Sequence, residues 1–419
     1  MTTTISTLPN GLRVITHETN NVGSVALGLW ADVGTRNEDL SQNGIAHMVE
    51  HMLFNGTLNR SAQQIVQEIE DVGGQMNAYT SRENTAYYIH LLKDDAARAF
   101  EILSDMMLNS TFPESEIEKE RKVIIQEIGM TYDTPDDIVF DYYQEAAYPN
   151  QALGAPILGT SKIIESIEKQ NLHDYVTKFY CAENLVLSVA GNISHDQSVA
   201  YAGQYLANLS SNAKAEIKAA HYQGGAHLEE KDLEQTHVVL GFQGVQRTSV
   251  DYYAAQVFSI LMGGGMSSRL FQSVREKHGL AYSVYSSHSA FKDDGQFEIY
   301  VGTGPEKLSE LMPVLIDEIK KSQDKASTEE LERARAQLKS SIVMSTESML
   351  SRANRQAKYL MACDEAFDIQ TVLDQIDAVG IEDIQNITMK IFASKPTLSA
   401  LGPLQKMADY SFIESKLAA

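Results

Sequence analysis

The segment from Ile45 to Phe54 alternates apolar and polar positions with the period of an α-helix. One stripe of this helix is wholly apolar and consists of Ile45, Met48, Val49 and Met52. The neighbouring stripe carries the only ionisable side chains of the segment, His47, Glu50 and His51. A helix that is apolar nearly all round is buried, and buried polar groups need a partner or a metal ion. We therefore expect these three side chains to be paired or to bind a metal.

A second helix is predicted where Ile117, Ile124 and Ile128 keep the helical period. Glu120 and Glu127 are seven residues apart in this helix, so they share a face at a distance of two turns. Glu127 lies beside Ile124 and Ile128, which is a poor place for an unpaired charge. The alternative is an ordinary solvated glutamate on an amphipathic helix.

Two pairs of similar segments recur at nearly one spacing, which indicates a duplicated architecture. In the first pair, Val25–Arg36 is similar to His237–Arg247, and in the second, Leu185–Ile193 is similar to Thr397–Leu404. Within each half, a strand, a helix and a strand pair such as Thr85–Leu92 precede long helices and a final strand. This order predicts the α+β class, with two tandem homologous domains, each an antiparallel-rich sheet with helices packed on one face.

The polar stretch Leu209–Gly225 is typical of a linker. We therefore predict an N-terminal domain over residues 1–215 and a C-terminal domain over residues 216–419. The second half has no counterpart of the motif His47-x-x-Glu50-His51 and carries a glycine-rich segment in its place. The predicted metal chemistry therefore belongs to the N-terminal domain.

Composition narrows the class of protein. The 419 residues are 43% hydrophobic and 21% charged, which is typical of a globular protein. A net charge of −22 argues against binding to nucleic acid or to an anionic membrane surface. The two cysteines give no disulfide framework, and no signal peptide, presequence or membrane-spanning run is apparent. We expect a cytoplasmic protein with no nucleic-acid and no membrane partner.

The motif His47-x-x-Glu50-His51 reverses the order of the commoner His-Glu-x-x-His motif and is itself a zinc-peptidase signature. Two imidazoles four residues apart on one helical face can hold one Zn²⁺, and the glutamate between them can take a proton from a water at the metal. Catalytic zinc needs a third protein ligand, and the best candidate for this carboxylate lies in the predicted helix that carries Glu120 and Glu127. The alternative is a pair of core histidines capped by a glutamate.

The motif, followed well downstream by Glu127, resembles the pitrilysin and mitochondrial processing peptidase family of zinc metallopeptidases, the inverzincins. The resemblance extends over essentially the whole chain and is closest to the bacterial branch of the catalytic, or beta, subunit type. It implies one Zn²⁺ per chain held by His47, His51 and Glu127, with Glu50 as general base. It also implies a supporting carboxylate at Glu120.

The glycine-rich segment of the second half also matches the family. Gly263, Gly264 and Gly265 correspond to a loop associated with substrate handling, which without the resemblance would be a flexible loop before a helix. Arg275 and Tyr282, seven residues apart, resemble the family's pair that holds substrate and stabilises the transition state. The alternative for this pair is ordinary surface-helix and sheet packing.

Two further substrate contacts are implied by the resemblance. Asn77 and Ala78 fall on an edge strand that can take an extended peptide as an added strand, although an ordinary edge hairpin explains the pattern equally well. Asp137 and Asp141 resemble the acidic pair with which processing peptidases receive an arginine near the cleaved bond. Acidic residues that complement a helix dipole are the alternative for Asp136 and Asp137.

The family encloses a peptide between two halves, each of which consists of two repeats. This chain supplies one half, so we expect a homodimer in which Arg275 and Tyr282 serve the zinc of the other subunit, or a heterodimer with an inactive homologue. The expected function is cleavage of extended presequence-like or oligopeptide substrates, with basic residues near the cut. A non-catalytic peptide-binding or scaffold subunit is the main alternative, and another zinc hydrolase such as an aminopeptidase is a smaller one.

Overall fold

The computed structural model describes residues 2–418. Its strands are β1 (Thr2–Thr7), β2 (Arg13–Glu18), β3 (Ser24–Ala31), β4 (Gln75–Thr80), β5 (Thr85–Leu92), β6 (Leu185–Gly191), β7 (Gly225–Glu230), β8 (Thr236–Gln243), β9 (Ser283–Ala290), β10 (Gly295–Thr303) and β11 (Thr397–Gly402). Its α-helices are α1 (Ile45–Met52), α2 (Ala62–Glu70), α3 (Ala96–Asn109), α4 (Glu114–Tyr132), α5 (Pro135–Ala147), α6 (Ser161–Ser166), α7 (Lys169–Phe179), α8 (His195–Tyr205), α9 (Tyr252–Gly263), α10 (Leu308–Lys321), α11 (Thr328–Ser345), α12 (Met349–Cys363), α13 (Ile369–Ala378), α14 (Ile381–Phe392) and α15 (Tyr410–Ala418). Among these residues, no helix combines the length and the apolar character needed to cross a bilayer.

The chain forms two compact units, and each unit is built from three segments. The first comprises Met1–Met130, Ala155–Lys218 and Ser345–Phe367, and the remaining segments form the second. Helix α5 therefore belongs with the second unit and helix α12 with the first. The domain boundary between residues 215 and 216 stays a prediction.

The sheet of the first unit has the order β1-β2-β6-β3-β5-β4. Only the β2–β6 pair is parallel, so the sheet is antiparallel-rich as predicted. Successive side chains of a strand point to opposite faces of the sheet, and β3 has buried side chains on both faces. Leu27 and Leu29 join the core that also contains residues of α1 and α3, whereas Trp30 packs against Ala353 and Ala357 of α12. Most helices thus lie on one face, and α12 packs on the other.

The sheet of the second unit has the order β7-β11-β8-β10-β9. This order matches that of β2-β6-β3-β5-β4 strand for strand, so that β8 occupies the place of β3 and β11 the place of β6. On one face, Val139 of α5 packs with Tyr300. On the other, the rings of Phe258, Phe297 and Phe392 are in mutual contact. The predicted α+β duplication is therefore confirmed.

Candidate metal centre

Helix α1 carries the predicted histidines, and its start is tightly packed. Gly44 precedes the helix with a φ of 96°, a left-handed conformation that favours glycine. A Cβ at this position would lie 2.7 Å from the backbone oxygen of Leu158. The apolar stripe that begins at Ile45 is buried as predicted, with each member at most 1% exposed. The helix is therefore held along its apolar side, and His47, Glu50 and His51 remain only half-buried.

Three potential metal ligands converge between α1 and α4. One ligand atom from each of His47, His51 and Glu127 lies within 4.8 Å of the other two. The Oε2 atom of Glu127 is 3.8 Å from Nε2 of His47 and 3.7 Å from Nε2 of His51. These distances are too long for direct hydrogen bonds. The structure therefore brings together the three residues that the sequence predicted as metal ligands.

The chemistry and spacing of this set fit zinc. Two imidazole nitrogens and one carboxylate form a donor set found in catalytic zinc sites. Zinc bonds of about 2.0–2.1 Å would put tetrahedral ligands about 3.3 Å apart, slightly closer than the observed 3.7 and 3.8 Å. Small side-chain movements would close that gap. The side chain of Glu127 is 37% exposed, against 12% for His47, so the set is open to solvent on the glutamate's side.

Glu120 supports His51 from behind. Its Oε2 atom lies 2.9 Å from Nδ1 of His51, and its Oε1 accepts a hydrogen bond of 3.1 Å from the side chain of Asn55. Burial alone would lower the pKa of His51, but the hydrogen bond to Glu120 and the nearby carboxylates raise it overall. The same hydrogen bond holds the pKa of Glu120 below its usual value. Glu120 thus fixes the ring and leaves Nε2 facing Glu127.

His47 has a different environment. Burial, assisted by the charge of His51, lowers the pKa of His47 to about 4. The ring is therefore neutral near pH 7, which is the form that binds a metal. Its Nδ1 atom is buried and forms no hydrogen bond within residues 2–418. Unlike His51, His47 is oriented by packing alone.

Glu50, the predicted general base, lies on the same helix as His47 and His51. Its Oε2 atom accepts a hydrogen bond of 2.5 Å from the hydroxyl of Thr80, at the end of β4. Burial raises the pKa of Glu50, and the hydrogen bond from Thr80 opposes that rise. A carboxylate with a raised pKa is suited to exchanging protons near neutral pH.

Arg275 and Tyr282, in the second unit, contact each other. Arg275 lies in a π-helical segment, Phe271–Lys277, and its guanidinium stands 5.4 Å from the ring centre of Tyr282 and 4.7 Å from that of Phe271. Tyr282 is 73% exposed, and Arg275 is half-buried beside it. The pair is thus assembled on the surface of its own unit.

The three glycines of the second unit have different surroundings. Gly263 is the last residue of α9, and a Cβ there would lie 2.2 Å from the amide nitrogen of Ser286. A Cβ on Gly264 would lie 2.6 Å from Cα of Ile260. Only Gly265 has room for a side chain, with its nearest neighbour at 3.6 Å. Close packing therefore explains two of the three, and their contact with substrate stays a prediction.

The remaining predicted substrate residues lie on two elements. Asn77 and Ala78 are on β4, which is an edge strand paired only with β5. The amide of Ala78 donates to Oδ1 of Asn77 at 2.8 Å. Asp137 is exposed in the first turn of α5, and Asp141 is half-buried one turn later.

Three neighbours of the centre were not predicted from the sequence: Thr80, Asn55 and Glu38. Asn55 follows His51 by four residues, so helical spacing could have indicated it. Thr80 is far from Glu50 along the chain, and Glu38 precedes α1 in a separate turn. Neither separation has a periodic signature, because the hairpin and the turn that bring these residues close are tertiary features.

Comparison with known proteins identifies the class. Residues 13–161 match the family described as insulinase (peptidase family M16), and residues 166–338 match the peptidase M16 inactive domain. The chain therefore belongs to peptidase family M16. The first match contains His47, His51 and Glu127, whereas the second covers a region without the motif.

Individual relatives extend over nearly the whole chain. An uncharacterized zinc protease of Rickettsia felis is 41% identical over 400 residues, covering 95% of this chain and 97% of that protein. An uncharacterized zinc protease of Bacillus subtilis is 36% identical over 403 residues, covering 96% and 98%. The crystal structure of a protease from Helicobacter pylori superposes with a TM-score of 0.87 at 23% identity, covering 96% of this chain and 99% of that one. That structural likeness supports the fold.

Proposed function

We propose that this chain is a zinc-dependent endopeptidase that cleaves extended peptides. The observation that carries the proposal is the convergence of His47, His51 and Glu127 beside the half-buried Glu50. Zinc bound there would supply an electrophilic centre that acidifies water and polarises the scissile carbonyl. The relatives named zinc proteases support the same activity.

The chain's own residues provide the proton transfers. Glu50 takes the proton of the attacking water and delivers it to the nitrogen of the leaving amine. Thr80 donates to Oε2 of Glu50 and so limits the positions that this carboxylate can take. Glu120 holds Nδ1 of His51 and keeps its Nε2 available. In this scheme Glu50 carries one proton from the water to the leaving amine, while Thr80 and Glu120 hold Glu50 and His51 in place.

Strand β4 is the proposed site for the substrate backbone. An edge strand offers unpaired amide and carbonyl groups, so a peptide can extend the sheet with little dependence on sequence. The amide of Ala78 is held by Asn77 and would exchange that bond for one to the peptide. Thr80 is the last residue of the same strand and donates to Glu50, so a peptide paired with β4 would pass close to the carboxylate of Glu50.

We further propose that the active form is a dimer with shared sites. Arg275 and Tyr282 of one subunit would contact the substrate bound at the zinc of the other and stabilise its developing negative charge. Either a second copy or an inactive homologue could supply the second half of a clamshell chamber. Asp137 and Asp141 would receive a basic side chain of the substrate near the cut.

The cytoplasmic location of the protein also stays a prediction.

Trans complementation tests the proposal. Glu50→Gln removes the proton acceptor, and Arg275→Ala removes the substrate contact. If sites are shared, mixing the two inactive variants restores up to about a quarter of the activity, because random pairing gives hybrids one intact site. Each variant mixed with itself is the control. Failure to recover any cleavage, with subunit exchange verified by mass measurement, would refute the shared site.

A peptide panel tests the activity itself. Metal-loaded wild type should cut extended peptides, and those with arginine two residues before the cut should have a lower KM if Asp137 and Asp141 bind the basic group. Glu50→Gln should bind zinc and peptide but cleave neither set. If wild type binds zinc and peptides without cutting any, the chain is a peptide-binding subunit.

A further inference from the structure

One carboxylate beside the metal-binding helix is buried more deeply than any proposed ligand. Glu38 is 5% exposed. Its Oε1 accepts a hydrogen bond of 2.8 Å from the amide of Ala46, and its Oε2 accepts bonds of 2.9 Å from the amide of Gly44 and the side chain of Asn43. All three donors belong to the turn that begins α1. The carboxylate therefore holds the helix at the end that bears His47.

Helix α1 depends on such an external contact. It has only eight residues, and its N-cap, Gly44, has no side chain that could accept a hydrogen bond. The first amides of a helix lack intrahelical partners and attract negative charge. A helix of two turns has little stability of its own, so contacts at its ends set its orientation. Glu38 supplies the acceptor that the cap lacks.

The segment that carries Glu38 is itself fixed. The amide of Thr35 donates to the backbone oxygen of Ser81 at 3.2 Å, and the guanidinium of Arg36 donates to Oε1 of Glu83 at 2.5 Å. Both acceptors are in the turn between β4 and β5. Because this segment is anchored to the turn, Glu38 has a fixed position from which it can hold the start of α1.

We propose that Glu38 is a positioning residue for the metal centre. This inference rests on the proposed zinc site and adds to it a residue that touches neither metal nor substrate. Glu38 acts through the amides at the start of α1 and thereby fixes the two imidazoles relative to Glu127. The anchored turn connects this support to β4, the proposed substrate strand.

Metal binding at pH 8 tests this role. Zinc affinity of the metal-free full chain is measured by competition with a chelator, and cobalt(II) absorption spectra report the geometry of the centre. Glu38→Gln places an amide against three hydrogen-bond donors and should weaken zinc binding at least tenfold, as is typical when support for metal ligands is removed. The cobalt spectrum should change, and the fold-decrease in kcat should be larger than the fold-change in KM. Asp39→Asn removes a charge from the adjacent exposed residue and should change none of these quantities.

The outcomes separate the two proposals. If wild type binds no stoichiometric zinc, the proposed function itself fails. If wild type binds zinc and Glu38→Gln has the same affinity and cobalt spectrum, the positioning role is refuted while the function stands. If Glu38→Gln loses its secondary structure, Glu38→Asp decides, because it keeps the charge on a shorter side chain. A folded Glu38→Asp chain with weakened zinc binding supports the role, and unchanged binding or loss of folding overturns it.

Discussion

Replacing Glu120 by glutamine tests how the centre is supported. The substitution keeps the size of the side chain and an oxygen that can accept from Nδ1 of His51, but it removes the charge at the 2.9 Å contact. A hydrogen bond to a charged group contributes about 1.5–3 kcal/mol, and a neutral one about 1 kcal/mol. The difference of about 1–2 kcal/mol corresponds to zinc binding roughly 5- to 30-fold weaker in the variant.

The pH dependence of that loss has a definite sign. The hydrogen bond to Glu120 raises the pKa of His51 in the metal-free protein, so Glu120→Gln lowers this pKa. Protons compete with zinc for the imidazole, and wild type therefore begins to lose affinity at a higher pH than the variant. The ratio of the zinc affinity of wild type to that of Glu120→Gln should be largest above about pH 8 and should decrease as the pH falls toward 6.

The assay is a zinc titration against a chromophoric chelator across this pH range. Glu118→Gln is the matched control, because Glu118 lies on the same helix, is 61% exposed and pairs with Arg121. The control should retain wild-type affinity at every pH. If Glu120→Gln binds zinc within twofold of wild type at pH 8, or if this ratio increases in acid, Glu120 does not support His51 in the way described.

Three other substitutions have defined expectations. Thr80→Val removes the hydrogen bond that lowers the pKa of Glu50, so kcat should fall about tenfold and the acidic limb of the pH–rate profile should move to higher pH. Thr80→Ser keeps the hydroxyl and should behave as wild type. An acidic limb that does not move in Thr80→Val would argue against the contact. Asn354→Ala removes the acceptor for Nε1 of Trp30 and should lower the free energy of unfolding by about 1–3 kcal/mol in urea denaturation, whereas an unchanged midpoint would contradict this account. Burial raises the pKa of Glu38 from 4.5 to about 7, so the contribution of Glu38 to the stability of the zinc-free protein should fall by about 3 kcal/mol as pH rises from 4.5 to 7. Buried histidines such as His47 act in the opposite direction in this range, so the quantity to measure is the free energy of unfolding of wild type minus that of Glu38→Gln, and a difference that stays constant with pH would contradict this account.

The periodic part of the structure could be predicted from the sequence. The apolar stripe of α1 and the isoleucines of α4 have the helical period, and both stripes are buried. The recurrence of similar segments at nearly one spacing predicted two homologous domains, and the structure shows that five strands have the same order in the two sheets. The pairing of Glu127 with the histidines was supported by family resemblance, because spacing along the chain contains no information about which helices approach each other.

The packing of distant segments could not be predicted. Ala353, Ala357 and Leu360 form a buried stripe of α12, and this periodicity indicates burial without indicating which sheet covers it. The contacts of Thr80 and Glu38 depend on a hairpin and a turn that set distances between remote positions. Support for the metal centre comes from these tertiary contacts, so most of it became apparent only in the folded chain.

The zinc content of purified, metal-replete protein tests the central claim most directly. Wild type should hold one zinc ion per chain, and Glu127→Ala, which removes one of three converging ligands, should lose both stoichiometric zinc and peptide cleavage while its secondary structure is retained. A wild-type chain without stoichiometric zinc would contradict the account, and so would a Glu127→Ala chain that retains full zinc and full cleavage.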